Sequence, residues 1–258
     1  MVTAYDRFCA WAYRRVRASI LPGLQNSQYA YLAALRDELG GGTGRWLDLG
    51  CGHGFLPDWM PQPDQRLDLA SWRPVGVDLD ALSLRRHPYL RLRVHGDVQR
   101  LPFAAGAFRL VTANMVVEHV REPQELFREI SRVLEPNGTL LLHTPNVRGY
   151  TTRLSRLIPP FLVSRAAQFL LDRRTEDVYP TVYRANSAAE LQSLASDAAL
   201  TVSGVEYVNS SPQLIRLPLL MCAEVLWLRR VARPGNAELR PCLVARFTKT
   251  GDRPSHGE

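Results

Sequence analysis

The chain is predicted to fold as an α/β protein on a doubly wound, mostly parallel seven-stranded sheet with helices on both faces, and three observations predict it. Trp46-Leu47-Asp48-Leu49-Gly50-Cys51-Gly52-His53-Gly54 reads as a buried strand emptying into a glycine-rich turn. Glycines at alternate positions there free the backbone for positive φ and for close approach of a ligand. Val75-Gly76-Val77-Asp78 follows at the spacing of the next parallel strand and ends on a carboxylate that can accept two ribose hydroxyls. Beyond it, short apolar runs alternate with helical periodicity along the chain.

In chain order, helices are expected at Tyr5–Ala18 and Ser27–Leu39, ahead of a first strand over Arg45–Leu49. Strands at Val75–Val77, Leu90–Val94, Leu110–Ala113 and Thr139–His143 follow, with helices near Leu82–Arg86 and Pro123–Leu134 between them. Pro123 suits a first helical position, and Asn137-Gly138 is the expected helix stop. Ser187 with Glu190 three residues on is a capping box that opens a helix over Ala188–Ala198. The last two strands are expected at Leu200–Val208 and Cys242–Thr248, and the tail past Thr250 reads as frayed.

With 258 residues, 46% of them hydrophobic, the chain can bury a large core without disulfides or metals. Cysteines 9, 51, 222 and 242 are scattered, with neither a C-x-x-C pair nor zinc spacing, which points to a reducing cytoplasm. Met1 to Tyr13 carries no apolar core of signal-peptide length. The net charge of +7 comes from two places: residues 144–186 carry an excess of four positive charges, residues 212–241 an excess of three. The remainder is balanced, so the region around the glycine turn shows no basic signature of nucleic-acid binding.

Five blocks in order resemble the class I S-adenosylmethionine (SAM)-dependent methyltransferases, in particular the small-molecule group that includes the ubiquinone-pathway O-methyltransferases. They are Trp46 to Gly54, Val75 to Asp80, Gly96-Asp97-Val98 with Leu101-Pro102-Phe103, Phe108 to Val120, and Arg132 to Asn146. The glycine pattern is G-x-G-x-G, where a dinucleotide pyrophosphate site asks for G-x-G-x-x-G. The resemblance implies a Rossmann-like seven-stranded fold, SAM as cofactor, and a set of contacts to it. Asp48, Gly50, Cys51 and Gly52 form the turn, with Asp48 supporting the methionine end. Asp78 clamps the ribose, Leu79 lies on the adenine face, and Asp97 and Val98 meet the adenine edge. Asn114 and Met115 end the fourth strand near the methionine portion, and Gln28 and Tyr29 stand in a helix that covers the cofactor. For each there is a structural alternative, such as a plain turn glycine or a helix cap.

Methyl transfer from a sulfonium is an in-line displacement that disperses charge, so alignment and exclusion of water matter more than strong acid or base chemistry. A hydroxyl acceptor must also lose its proton, and His119 is the candidate base, with Glu118 beside it. His119 as a histidine bonded to backbone at a helix start is the competing reading. Relatives with E-x-x-E-H bind a divalent metal at this place, but Met115 occupies the first glutamate position here, a poor ligand for a hard cation. No metal is expected.

One methyltransferase domain is expected: N-terminal helices over 1–44, a SAM-binding core over 45–146, a lid or insertion over 147–186, and the rest of the sheet over 187–250 with an apolar insertion at 212–241. The lid mixes Leu154, Leu157, Ile158, Phe161 and Phe169 with Arg153, Arg156, Arg165, Arg173 and Arg174. It reads either as a solvated arginine face over core packing or as a membrane surface. Tyr179, Tyr183 and Arg184 either read an acceptor or brace the lid. Leu217 to Leu228 is too short to span a bilayer and reads as a buried or interfacial insertion or a dimer contact. The expected activity is methylation, at oxygen, of a small or lipid-linked acceptor by a cytoplasmic enzyme with peripheral membrane contact as one option. No nucleic-acid partner is expected, and the oligomeric state is left open. The alternatives are a nucleic-acid or protein methyltransferase and a SAM-binding regulator without catalysis.

Overall fold

A computed structural model describes residues 3–57, 59, 60, 67, 69–157 and 180–251. Contacts between Cα atoms divide the chain into two compact units. One takes in residues 31–144, 181–206 and 243–258; the other takes in 1–30, 145–180 and 207–242. The expected lid residues 158–179, Tyr179 among them, and the tail from 252 lie outside the described residues.

The seven strands form one mostly parallel sheet in the order β3-β2-β1-β4-β5-β7-β6. They are β1 (Gly44–Leu49), β2 (Trp72–Asp78), β3 (Leu92–His95), β4 (Phe108–Asn114), β5 (Leu134–Pro145), β6 (Leu200–Val208) and β7 (Cys242–Lys249). Strand β1 pairs in parallel with both β2 and β4, as β2 does with β3 and β4 with β5. Trp46, Leu47, Leu49, Val77, Val111 and Ala113 are buried on both sides of these central strands, which is why they read as unbroken apolar runs.

Helices α1 (Ala4–Ile20), α2 (Ser27–Gly40), α3 (Ala81–Arg86) and α4 (Pro123–Val133) come before β5, and α5 (Tyr150–Leu157), α6 (Ala188–Asp197) and α7 (Pro218–Val231) after it. Pro123 opens α4, whose Leu126, Phe127, Ile130 and Val133 are buried at helical spacing, with Phe127 edge-on to Phe247 of β7. The capping box of α6 is present: Ser187 Oγ accepts the Glu190 N–H at 3.2 Å and Glu190 Oε2 accepts the Ser187 N–H at 3.0 Å.

Asn137-Gly138 does not stop α4. The helix ends at Val133, and the chain passes directly into β5. Leu134 pairs with Phe108 and Thr139 with Leu110, so Glu135 to Gly138 bulge opposite Arg109 alone. Asn137 takes φ 64°, and a Cβ on Gly138 would lie 2.9 Å from the Glu135 carbonyl. A bulge and a helix stop ask for the same left-handed residues, which is why the dipeptide misleads.

In the other unit, α1 packs on α7. Leu228 and Val231 of α7 form a cluster with Leu24, joined by Leu21, Tyr150 and Leu239. The stretch read as an apolar insertion is this helix, one face buried and the other exposed. Its single acid, Glu224, is buried and satisfied: it accepts from Tyr150 Oη at 2.5 Å and from the N–H groups of Gln213 and Leu214 at 2.8 and 2.9 Å. Among the described residues no helix is long and apolar enough to cross a membrane.

Candidate functional site

The parallel register sets the carboxyl ends of four strands along one sheet edge, with Leu49 beside Val77 and Ala113, and Asp78 beside His95. Ligands bind at such an edge because the turns leaving the strands present backbone N–H groups and side chains there. Gly50 and Gly52 follow β1 with φ 58° and 53°. A Cβ on Gly50 would stand 2.6 Å from Val116 Cγ2, so packing demands that glycine. Around Gly52 nothing lies within 4 Å of where a Cβ would be. That glycine leaves a cradle at the mouth of the turn.

Asp78 closes the cradle. Its Oδ2 accepts the Gly52 N–H at 2.8 Å and its Oδ1 the Asp80 N–H at 2.7 Å, while its carbonyl accepts the Gly96 N–H at 3.0 Å. Each carboxylate oxygen has a second lone pair, so the group can hold the turn and still accept from vicinal hydroxyls. Leu79, 67% exposed, follows it on the same edge, its carbonyl 2.9 Å from His95 Nε2. Cys51 is buried, with its thiol pushed up by burial, and its Sγ would lie 2.5 Å from a Cβ on Gly76. It packs the turn onto β2.

Asp97 Oδ1 accepts the Gln99 N–H at 2.9 Å, and Gln99 Nε2 lies 3.2 Å from both its oxygens. Val98 is buried next to it. The loop after it is fastened by α4 through a pair that sequence reading missed. Glu129 accepts the Leu101 N–H at 2.7 Å, and Arg132 donates to the Leu101 and Phe103 carbonyls at 2.9 and 2.7 Å.

Beneath the turn lies a buried polar chain. The Trp46 indole N–H donates to Thr112 Oγ1 at 2.7 Å, and the Thr112 hydroxyl donates to Asp48 Oδ1 at 2.5 Å. Burial pushes the Asp48 carboxyl up to about 7; the Thr112 hydrogen bond opposes that and the nearby Asp78 charge adds to it. At the end of β4, Asn114 Oδ1 meets His143 Nδ1 at 2.8 Å, and the Met115 N–H donates to the His143 carbonyl at 2.8 Å with Met115 at φ 58°. Burial drives His143 down to about 3, so the ring is neutral and donates from Nδ1, stacked on Tyr31 at 5.6 Å. Thr112 and His143 carry a sequence signal: a polar residue inside an otherwise apolar strand.

Glu118 and His119 sit on the 3-10 turn Val117–His119 that follows β4. Glu118 is buried and points inward, where Asn186 donates to Thr144 Oγ1 at 2.6 Å and Thr144 donates to Glu118 Oε2 at 3.2 Å. The Glu118 carbonyl accepts the N–H groups of Val182 and Tyr183 at 2.8 and 3.2 Å, and Arg184 donates to the Arg121 carbonyl at 2.9 Å. The Tyr183 backbone N–H thus braces this turn, and the Arg184 guanidinium holds the backbone just after it. His119 is partly exposed, with Nε2 3.9 Å from Glu118 Oε1. Gln28 and Tyr29 belong to the other unit, in the first turn of α2, where Asn26 receives both backbone N–H groups.

A glycine cradle backed by a carboxylate at the end of β2, on a sheet of this order, defines the class I SAM-dependent methyltransferase fold. Residues 47–142 match the family model described as a methyltransferase domain, and over that segment the chain is similar to the SAM-dependent methyltransferases. It is 38% identical to a malonyl-[acyl-carrier protein] O-methyltransferase of Legionella pneumophila over 39% of this chain and 36% of that protein. It is 28% identical to a ubiquinone biosynthesis O-methyltransferase of Psychrobacter arcticus over 76% of this chain and 74% of that protein. The chain thus spans little more than a third of the first relative's length. Among solved structures, geranyl diphosphate C-methyltransferase from Streptomyces coelicolor, in complex with Mg2+, geranyl-S-thiolodiphosphate and S-adenosyl-L-homocysteine, aligns with a TM-score of 0.51. It is 20% identical over 86% of this chain and 76% of that one, and so shows the shared fold.

Proposed function

We propose that the protein transfers a methyl group from SAM to an oxygen of a small or lipid-linked acceptor. The observation that carries this is the Asp78 carboxylate bonded to the Gly52 N–H beside an open glycine cradle. SAM supplies an electrophilic methyl on a sulfonium. Asp78 accepts from the ribose hydroxyls, Leu79 and Val98 flank the adenine, and Asp97 accepts from its amino group. Asp48, once ionised, favours the cationic methionine end, and Gly50 and Cys51 keep the turn in shape. Asn114 and Met115 define the wall nearest the methionine portion.

His119 is the proposed base for the acceptor hydroxyl, and Glu118 positions it by anchoring the 3-10 turn through Thr144. The two named relatives are O-methyltransferases, which favours oxygen as the attacked atom. We read the chain as a methyltransferase working in the cytoplasm and touching a membrane peripherally. The test is calorimetric titration with S-adenosylhomocysteine, with Asp78→Ala alongside. Micromolar binding that the variant loses supports the site, and absence of binding by folded wild-type protein sinks it. Methyl release on a panel of phenols and acyl-carrier or lipid-linked acids then separates an enzyme from a SAM-binding regulator.

A further inference from the structure

We propose that the outward faces of α1 and α7 are the surface that lies on an anionic lipid membrane. This deepens the peripheral contact proposed above and rests on it, while being independent of the acceptor's identity. Helix α7 is apolar on both sides. Met221, Val225, Leu228 and Val231 fill the interior, yet Leu219, Leu220, Leu226 and Trp227 are exposed, Leu219 to 87%. Their spacing of one, seven and eight residues from Leu219 sets them on one face of the helix. On α1, Tyr5, Phe8 and Trp11 are each about half exposed, again at helical spacing. The Phe8 and Trp11 rings stack at 6.1 Å, and the Arg15 guanidinium lies 5.9 Å above Trp11.

The two helices pack on each other, and the Tyr5 hydroxyl donates to the Arg216 carbonyl at 2.6 Å, just ahead of α7. Leaving this many large apolar side chains in water on adjoining helices marks a contact surface, since nothing in the folding of α7 requires them outside.

Charge selects the occupant. Arg7, Arg14 and Arg15 on α1 and Arg229 and Arg230 on α7 are exposed. The acids of the same two helices are accounted for: Asp6 pairs with Arg216 at 3.2 Å, and Glu224 is buried with its donors. An apolar face with interface-seeking tryptophans and a rim of unopposed arginines fits the boundary of an anionic bilayer, where acyl chains receive the leucines and headgroups the guanidinium groups. A second copy applied through a two-fold axis would set arginine against arginine, so self-association is disfavoured.

The full chain is sedimented with phosphatidylcholine vesicles that contain phosphatidylglycerol, and with vesicles of phosphatidylcholine alone, at low and high salt. The variants are Leu219→Ser/Trp227→Ser, Phe8→Ser/Trp11→Ser and Arg229→Glu/Arg230→Glu. All six positions are exposed, so S-adenosylhomocysteine binding serves as the check that the fold and the cofactor site survive. Wild type is expected to bind the anionic vesicles and to lose binding with salt, and each variant to partition roughly ten-fold less or worse. If wild type binds but the variants match it, this surface is overturned and the membrane contact lies elsewhere. If wild type ignores anionic vesicles at low salt, or binds neutral ones equally, the anionic-membrane reading falls. A wild-type dimer dissolved by the serine variants, without vesicle binding, likewise replaces the membrane with a second copy. None of these outcomes touches the cofactor-site reading, which fails only with loss of S-adenosylhomocysteine binding by wild type.

Discussion

The Thr112 hydroxyl stands 2.5 Å from Asp48 Oδ1 and is the hydrogen bond that holds this buried carboxyl's pKa down against its desolvation. Asp48 must give up its proton to favour a cationic ligand, so affinity for SAM is expected to rise with pH and level off above about 7. In Thr112→Val that midpoint moves upward, and the Trp46 indole loses its acceptor, which costs about 1–3 kcal/mol of stability. Calorimetry across pH, in buffers of different ionisation enthalpy, reads both the midpoint and the released proton.

Asp48 and His143 are expected to give stability opposite pH slopes. Asp48 sits at about 7 when folded, above its ordinary value near 4, so its contribution is present at low pH and is lost as pH rises through the folded value. His143 sits at about 3, below its ordinary value near 6.5, so its contribution is present above 6.5 and lost as pH falls toward 3. The two partly cancel in wild type between about 4 and 6.5. Asp48→Asn exposes the His143 slope, with stability rising with pH; His143→Gln exposes the falling slope of Asp48. Urea melts at several pH values show whether the slopes separate in sign, and parallel slopes refute the assignment.

Gly50→Ala and Gly52→Ala are expected to fail differently. Both glycines hold positive φ, which burdens alanine by about 1–2 kcal/mol. At Gly50 the new methyl also meets Val116 at 2.6 Å, so its melting temperature drops further. At Gly52 the methyl enters open space within the protein, so the fold survives and S-adenosylhomocysteine binding is lost. Equal melting temperatures with equal binding would show that Gly52 is only a turn glycine.

His119→Gln is expected to lower kcat by about a hundred-fold or more while S-adenosylhomocysteine affinity stays within a few-fold, because a base acts on the acceptor's proton. Chelator is expected to leave the wild-type rate unchanged, since Met115 stands where a metal-binding relative would carry glutamate. An unchanged kcat in His119→Gln would move the base elsewhere.

Arg132→Leu is expected to loosen the loop from Asp97 to Phe103. The guanidinium donates to two loop carbonyls, and Glu129, held by Arg132, receives the Leu101 N–H. Stability should fall by about 1–3 kcal/mol, and hydrogen exchange at Leu101 should quicken. Protection that persists at Leu101 would show that Glu129 holds the loop alone.

Local pattern was enough for much of this molecule. Leu200–Val208 is a strand over the residues expected, Ser187 and Glu190 form their capping box, and Gly50, Gly52 and Asp78 meet at one sheet edge. Each of these is written in neighbouring residues or in a short spacing between strand ends. Asn137-Gly138 failed for the same reason, because a dipeptide that permits left-handed backbone serves a bulge as well as a helix stop.

By itself, the sequence determined the strand and helix alternation, the glycine turn and the acidic end of β2, because periodicity and backbone freedom are properties of short segments. Only the tertiary structure decided the rest. It set Thr112 against Asp48 across 64 positions, turned Glu118 inward onto Thr144, fastened the Asp97 loop to Arg132, and left the outer face of α7 in water. Burial and hydrogen-bond partnership depend on which strands become neighbours, and that depends on packing the whole sheet.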